Sequence, residues 1–391
     1  MISADFGMHR RHLLRTATLG TLGLAFGGCA TRPPRAATAA TARRARVRLT
    51  PLRVAPDLVI RSTVGLRPHR PQGFVLRAEK LGEKLLVHNY GHGGAGWSLS
   101  WGTGTMAADM VREAGHQQAA VIGCGIVGIA CARLLQRRGI RTTIYTAAVP
   151  PETTSNMAEA AFTPTSGLID FTQRSPEWEA QFRQAVQIAY REWQLLANPD
   201  MGVSWVDNYA PTETAEARGG NVLLPESVRG DRTVLGPGEH PFASTYAIHR
   251  RDMRFEPSIA LDALLRDFMI FGGRVELRRF ASRDELARLD EPAIVNCTGI
   301  GSRDLMGDTA LVPLKGQLHV LAPQEGVDYS TSGGLKLDME APGGFLYMMP
   351  RRDGIVLGGT SERDVWTLEP NEQERERILR RHTELFSTMT T

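Results

Sequence analysis

The stretch that most limits the folds open to this chain runs from Ala119 to Tyr145. Val121-Ile122-Gly123-Cys124-Gly125-Ile126-Val127-Gly128 has the form of a short apolar strand, a G-x-G-x-x-G turn and a helix start. Ile129 to Arg138 continues as a helix that Gly139 stops, and Arg141 to Tyr145 reads as a second strand. Glycine lets backbone approach a pyrophosphate, and the unpaired N–H groups of the helix N-terminus then face its charge. Three glycines in an apolar run are a weak signal alone. Flanked by a strand on each side of one helix, they predict a β-α-β unit that binds a dinucleotide.

A second glycine-rich run lies just upstream: His88-Asn89-Tyr90-Gly91-His92-Gly93-Gly94-Ala95-Gly96-Trp97-Ser98. A flexible linker does not interleave His88, Tyr90 and His92 at fixed spacing, so the run reads as a built turn leading into a helix that starts near Gly96. The two histidines read as structural hydrogen-bonding groups. Cys29, Cys124, Cys131 and Cys297 offer no metal-ligand spacing, so no metal site is expected and buried bystander thiols are.

Charge separates the ends of the chain. Residues 1–49 carry nine arginines and one acid, so residues 50–391 carry a net −4 of the total +4. The basic balance belongs to the leader, and no nucleic-acid footprint is expected on the folded part. Arg10-Arg11 precedes an apolar region, Leu19 to Phe26, too short to span a bilayer and flanked as in an export signal. Residues 1–29 therefore read as a twin-arginine export signal, and 30–49, rich in Ala, Thr, Arg and Pro, as a flexible linker. Phe26-Gly27-Gly28-Cys29 is similar to a bacterial lipoprotein cleavage box, with Phe26 in place of the usual aliphatic residue. An exported protein results, periplasmic or lipid-anchored at Cys29 to the cell-envelope membrane; a cytoplasmic protein with a basic tail is the alternative. The 42% hydrophobic content of 391 residues suffices for two packed cores.

In Arg61 to Pro71, the run Gly65-Leu66-Arg67-Pro68 contains two constraints at once. Pro68 and Pro71 exclude a helix and predict an extended segment with Arg67 presented from a turn. A guanidinium held so is a good carboxylate clamp. Taken without context, such an arginine is more often a surface ion-pair residue.

Gly65-Leu66-Arg67-Pro68 followed by His88-Asn89-Tyr90-Gly91-His92-Gly93-Gly94 resembles the paired signature of the D-amino-acid oxidase family of flavoproteins. In that family the pair follows the dinucleotide fingerprint; here it precedes it, so the sequence looks like a circularly permuted member. Thr153-Thr154-Ser155-Asn156 is similar to the family's threonine-rich turn, and Ala160 to Pro164 to the stretch beside the flavin ring. Ala293 to Gly299 is similar to a second flavin-contacting loop, and Tyr347 falls on the substrate-carboxylate tyrosine. The resemblance spans residues 52–385.

It implies a mixed α/β protein: a Rossmann-like FAD-binding domain (68–165 and 258–307) with an antiparallel-sheet substrate domain (50–67, 166–257 and 308–391). It implies FAD, held without a covalent bond, as cofactor, a D-amino acid and dioxygen as small-molecule partners, and oxidation to the 2-oxo acid with release of ammonia and hydrogen peroxide. Arg67 and Tyr347 would bind the substrate carboxylate, and Gly94 would sit at the reacting centre. Gly93, Gly94, Ala95, Gly96, Trp97 and Ser98 would face the flavin's pyrimidine edge, Ser98 as a hydroxyl donor. Gly123, Gly125, Ile126, Val127 and Gly128, with Thr153, Thr154, Ser155, Ala160, Thr298 and Gly299, would hold the rest of the cofactor.

The chain departs from the family pattern at four places. No acid follows Tyr145, where the family holds the adenosine ribose; Glu159 replaces a small residue; Phe162-Thr163 replaces a Trp-Gln pair; and Gly343 stands where some members carry a second tyrosine. A dehydrogenase passing electrons to a non-oxygen acceptor and a noncatalytic flavin-binding envelope protein are the alternatives. A swapped dimer, with Arg67 and Gly94 completing a neighbour's site, is the alternative to a permuted single chain.

Overall fold

The computed structural model describes residues 45–170, 172–215, 223–333 and 345–390. The expected export signal, the linker up to residue 44 and Gly343 lie outside the described residues.

The chain enters through β1 (Val59–His69), the hairpin β2 (Val75–Leu81) and β3 (Lys84–Tyr90), and helix α1 (Gly96–Glu113). The fingerprint follows as β4 (Gln118–Ile122), α2 (Ile126–Arg137) and β5 (Arg141–Thr146). Next come α3 (Pro176–Leu195), β6 (Val203–Thr212), the short α4 (Glu226–Arg229), β7 (Arg232–Leu235), β8 (Tyr246–Phe255) and α5 (Pro257–Ile270). Then β9 (Arg274–Leu277), α6 (Arg283–Ala287), β10 (Ala293–Asn296) and α7 (Ser302–Met306) precede β11 (Val312–Leu321) and β12 (Ser330–Ser332). The chain closes with β13 (Tyr347–Arg351), β14 (Gly354–Gly358), β15 (Glu362–Arg363) and α8 (Glu372–Ser387).

Two sheets result. One has the order β2-β3-β10-β4-β5-β9, parallel from β3 to β9 with β2 antiparallel at its edge. The other runs β1-β11-β14-β13-β12-β6-β8-β7 with β15 added to β11, and is antiparallel except where β12 meets β6. Because β3, β10, β4, β5 and β9 point the same way, their carboxyl ends deliver five loops to one edge, the place where open α/β sheets bind ligands.

Residues 59–113 thus give one strand to the large sheet, two to the other, and a helix that packs on α2 and α3. The far end of the chain reaches the same region. Ile378, Leu379, Leu385 and Phe386 of α8 and Met389 share a core with Leu52, Leu58 and Val59, and Arg46 donates to Thr390.

The fingerprint helix begins at Ile126, inside the glycine-rich run where its sequence places the helix start. Helix α5 starts at Pro257, a residue that loses nothing where no intrahelical N–H bond is due. Arg67 lies within β1 and not on a turn; β1 is an edge strand, and Pro68 is tolerated there because its missing N–H interrupts no ladder on the open side. Ser175 caps α3, its Oγ accepting from the Trp178 amide at 3.2 Å with Pro176 at the first position.

Candidate active site

Between the carboxyl edge of the parallel strands and the face of the large sheet lies a cavity of about 1090 Å³. Within this one chain its walls include Arg67 from β1, Gly93 and Gly94 from the turn after β3, Gly123 to Val127 from the turn after β4, and Tyr347 from β13. Thr153, Thr154, Ser155, Ala160, Thr298, Gly299, Gly96 and Trp97 line it as well. The swapped arrangement is therefore not needed to bring Arg67 to Tyr347.

The nucleotide half is made of turns. Ile126 N, the first helical amide of α2, donates to Ser155 Oγ at 3.0 Å, which ties the threonine-rich turn to the helix N-terminus. Trp97 Nε1 donates to Ser155 O at 2.9 Å from the other side. Thr298 Oγ1 bonds Asn296 Oδ1 at 2.8 Å and Ser302 Oγ at 2.7 Å, so the loop after β10 is fixed by its own polar network. Gly93 has φ +54°, and a Cβ there would lie 1.8 Å from Gly167 O, so the turn passes that backbone closer than any other residue allows.

Three expected cofactor residues do not line the cavity. Gly128 instead packs α2 on the turn, where a Cβ would stand 2.0 Å from Gly123 O. Ala95 is fully buried. Ser98 is buried too; its Oγ accepts the Thr163 amide at 2.8 Å and donates to Ala161 O at 3.5 Å, which directs the hydroxyl expected to face the flavin at backbone.

The residues present fit a flavin nucleotide. Asn89, at the end of β3, lines the cavity fully buried, and its Oδ1 and Nδ2 have no hydrogen-bond partner among the described residues. A buried amide without partners is costly, so this one is complementary to a ligand carrying both a donor and an acceptor. At the adenosine end, where no acid follows Tyr145, the walls are Thr146, Ala147, Ala148, Arg278, Arg279 and Phe280. His92, by contrast, is structural: it is buried against Phe74, its Nε2 lies 3.1 Å from Thr103 Oγ1, and burial pushes its pKa down to about 3.

The reaction half is made of charged and aromatic side chains. Arg67 Nε donates to Leu314 O at 3.1 Å, and its Nη2 donates to Thr360 O at 2.6 Å. With a longer contact from Nη2 to Lys315 O at 3.5 Å, these bonds hold the plane of the guanidinium and leave Nη1 for a ligand. Burial lowers the Arg67 pKa, opposed by the fields of Tyr347 and Glu159. The Tyr347 hydroxyl is raised by burial and by Glu159, and lowered by Arg67 and Arg351. The three groups are thus mutual neighbours. Asn208, Arg250, Asp252, Leu318, Ser332, Phe345 and Met349 complete this end. Sequence reasoning singled out none of these, nor the amide of Asn89; β6, β8 and β12 carry no motif that would have singled theirs out.

Cys124, Cys131 and Cys297 are free and buried, as their sequence setting suggests. Among the described residues no cluster of His, Cys, Asp and Glu could hold a metal ion, and no helix is long and apolar enough to cross a membrane.

The profile of the family described as DAO, FAD dependent oxidoreductase, matches residues 118–390. The chain is 29% identical over 272 residues to a D-amino-acid oxidase of Rubrobacter xylanophilus, covering 68% of this chain and 76% of that one. It is 29% identical over 266 residues to a D-amino-acid oxidase of Streptomyces coelicolor (67% and 75%), and 26% identical over 270 residues to a human D-aspartate oxidase (67% and 74%).

Proposed function

The chain belongs to the DAO family of FAD-dependent oxidoreductases, and from that premise we propose that it oxidises a D-amino acid with a neutral side chain to the 2-oxo acid, releasing ammonia and hydrogen peroxide. The observation that carries this reading is the convergence of Arg67 and Tyr347 on one cavity with the Gly123–Val127 turn. Arg67 would take the substrate carboxylate on its free Nη1, and the Tyr347 hydroxyl would add a second hydrogen bond. Two fixed contacts on one carboxylate set the direction of the Cα–H bond, which is how a site of this kind raises rate. The flavin, when bound, accepts the hydride from Cα and passes electrons to dioxygen. Leu318, Phe345 and Met349 offer apolar surface to the side chain, while Glu159, with no cation bound to it, repels an acidic one.

Residues 59–113 fall outside the profile match yet supply Arg67, Gly93, Gly94 and Asn89 to the cavity. We read the motif order as a permutation in which new ends open near residue 58. The shared core of α8 with Leu52 and Leu58 supports that closure. On the same reading the FAD-binding part is 68–165 with 258–307 and the remainder binds substrate. Export by residues 1–29, with Cys29 as a lipid anchor, is proposed from the leader's sequence.

Peroxide release in air is the test. FAD-loaded protein given D-alanine or D-methionine should produce hydrogen peroxide, and the L-enantiomers should not. Flavin reduced by the D-amino acid but left unoxidised by air would indicate a dehydrogenase with another acceptor; flavin inert to every D-amino acid would indicate a noncatalytic protein.

A further inference from the structure

Glu159 stands in the reaction half of the cavity with no hydrogen bond or ion pair to its carboxylate among the described residues. It is half-buried and lines the cavity. Its position is braced on both sides. Arg351 Nη1 donates to Ala158 O at 2.9 Å, and the Phe255 amide donates to Ala160 O at 2.8 Å. Ala160 itself has φ +63°, a left-handed conformation that an alanine adopts only under constraint, as happens where a neighbouring side chain must be aimed.

The charged groups that face Glu159 are Arg67 from β1, Arg250 and Asp252 from β8, and Tyr347 and Arg351 from β13. Asp252 and Arg250 are bound to each other, Arg250 Nε lying 2.9 Å from both carboxylate oxygens. Arg351 is bound to Asp353 at 2.9 and 3.1 Å. Arg67, held by backbone carbonyls alone, has no carboxylate partner among the described residues, and Glu159 has no cation bound to it. An α-amino acid presents the complement of that pair, an anionic carboxylate one carbon away from a cationic ammonium.

We propose that Glu159 receives the proton of the substrate's α-ammonium while Arg67 and Tyr347 hold the carboxylate, so that it is a catalytic residue of the amine half of the reaction. The inference rests on the D-amino-acid reading of the site. The step is a proton transfer: R–CH(NH₃⁺)–COO⁻ gives up one proton to the Glu159 carboxylate and becomes R–CH(NH₂)–COO⁻, the nitrogen keeping the bonding pair. No electrons are exchanged until the hydride leaves Cα. The nitrogen lone pair is then available to form the C=N bond of the imino acid. Burial, then repulsion from Asp252, pushes the Glu159 carboxyl up to about 7, where a base is matched to neutral pH.

Two measurements test this on FAD-loaded protein. In the first, kcat/KM for a D-amino acid is followed against pH in the unsubstituted protein and in Glu159→Gln. The unsubstituted protein should rise through a limb near pH 7. Glu159→Gln should lose about 10²-fold at pH 7 and regain rate at alkaline pH, where the free amine sheds its own proton. An unchanged limb and rate in the variant would overturn the assignment. The second needs no variant: benzoate, a carboxylate without an amine, is titrated by its perturbation of the flavin spectrum. As Glu159 ionises, benzoate affinity should fall roughly tenfold between pH 6 and 8. Benzoate affinity flat across that range would equally overturn it. Lack of any turnover by the unsubstituted protein would remove the oxidase reading instead, and the benzoate titration would still report the charge of Glu159.

Discussion

At the end of the cavity beneath the parallel strands, the walls are mostly glycine turns and short hydroxyl side chains, whereas beneath the large sheet they are Arg67, Glu159, Arg250, Asp252 and Tyr347. The first end meets its ligand with main-chain amides whose direction follows from strand, turn and helix. Each turn there is set by its own local sequence, the one after β4 most plainly. The second end meets its ligand with side chains from β1, β8, β13 and the loop at 158–161, brought together only by the large sheet. The difference separates two kinds of damage: a change at the nucleotide end should cost cofactor, and a change at the reaction end should cost chemistry with cofactor retained.

The most complete loss, that of the cofactor itself, is expected at the nucleotide end. Gly128→Ala places a methyl group 2.0 Å from Gly123 O, so α2 must move away from the turn it closes. Overpacking of this sort costs about 1–3 kcal/mol, and FAD should no longer be retained through gel filtration. Retention of FAD with unchanged thermal stability would show that helix–turn packing does not shape this end. Next in size is Tyr347→Phe, which removes one hydrogen bond to a charged group, worth about 1.5–3 kcal/mol. kcat/KM should fall between about 10- and 100-fold with flavin affinity unchanged; a variant that loses flavin instead would blur the division between the ends.

The smallest effect concerns Glu79, on the outer strand β2 and away from both. Although burial pushes its carboxyl up, hydrogen bonds from Arg77 and His88 more than reverse this and bring it down to about 2. A depressed carboxyl stabilises the fold above its ordinary value of 4.5, and that contribution is lost as pH falls from 4.5 toward 2. Glu79→Gln should therefore lower thermal stability at pH 7 and flatten its decline in acid, without altering flavin retention. Equal acid profiles for the two proteins would contradict the ion cluster's role.

The same division explains what could be read from the chain. The β4-α2-β5 unit is legible because strand, turn and helix follow one another without a gap, and a 3.6-residue period with Gly139 marks the helix end. Arg67 and Tyr347 were visible only through resemblance; as residues, an arginine before proline and a tyrosine in an apolar run fit many settings. Asn89 lay in plain view within its motif, but that its amide is buried without a partner depends on the cavity. Ser98 shows the reverse: the resemblance aims its hydroxyl at the flavin, and the structure commits it to the Thr163 amide. Glu159 registered as a departure from pattern, and its placement follows from the left-handed Ala160 and the pairing of residues 160–162 with β8, which no local sequence announces.

The central claim is that residues 59–94 complete, within one chain, the reaction end of a cavity whose nucleotide end lies in residues 118–390. Anaerobic mixing of D-alanine with FAD-loaded protein and with Arg67→Ala, followed by the bleaching of the flavin band, tests it most directly. The account predicts rapid bleaching in the unsubstituted protein and a variant that keeps its flavin yet bleaches at least about 30-fold more slowly, the loss of a charged hydrogen-bonded pair being worth about 2–5 kcal/mol. Equal bleaching rates in the two proteins would place the carboxylate clamp elsewhere and contradict it.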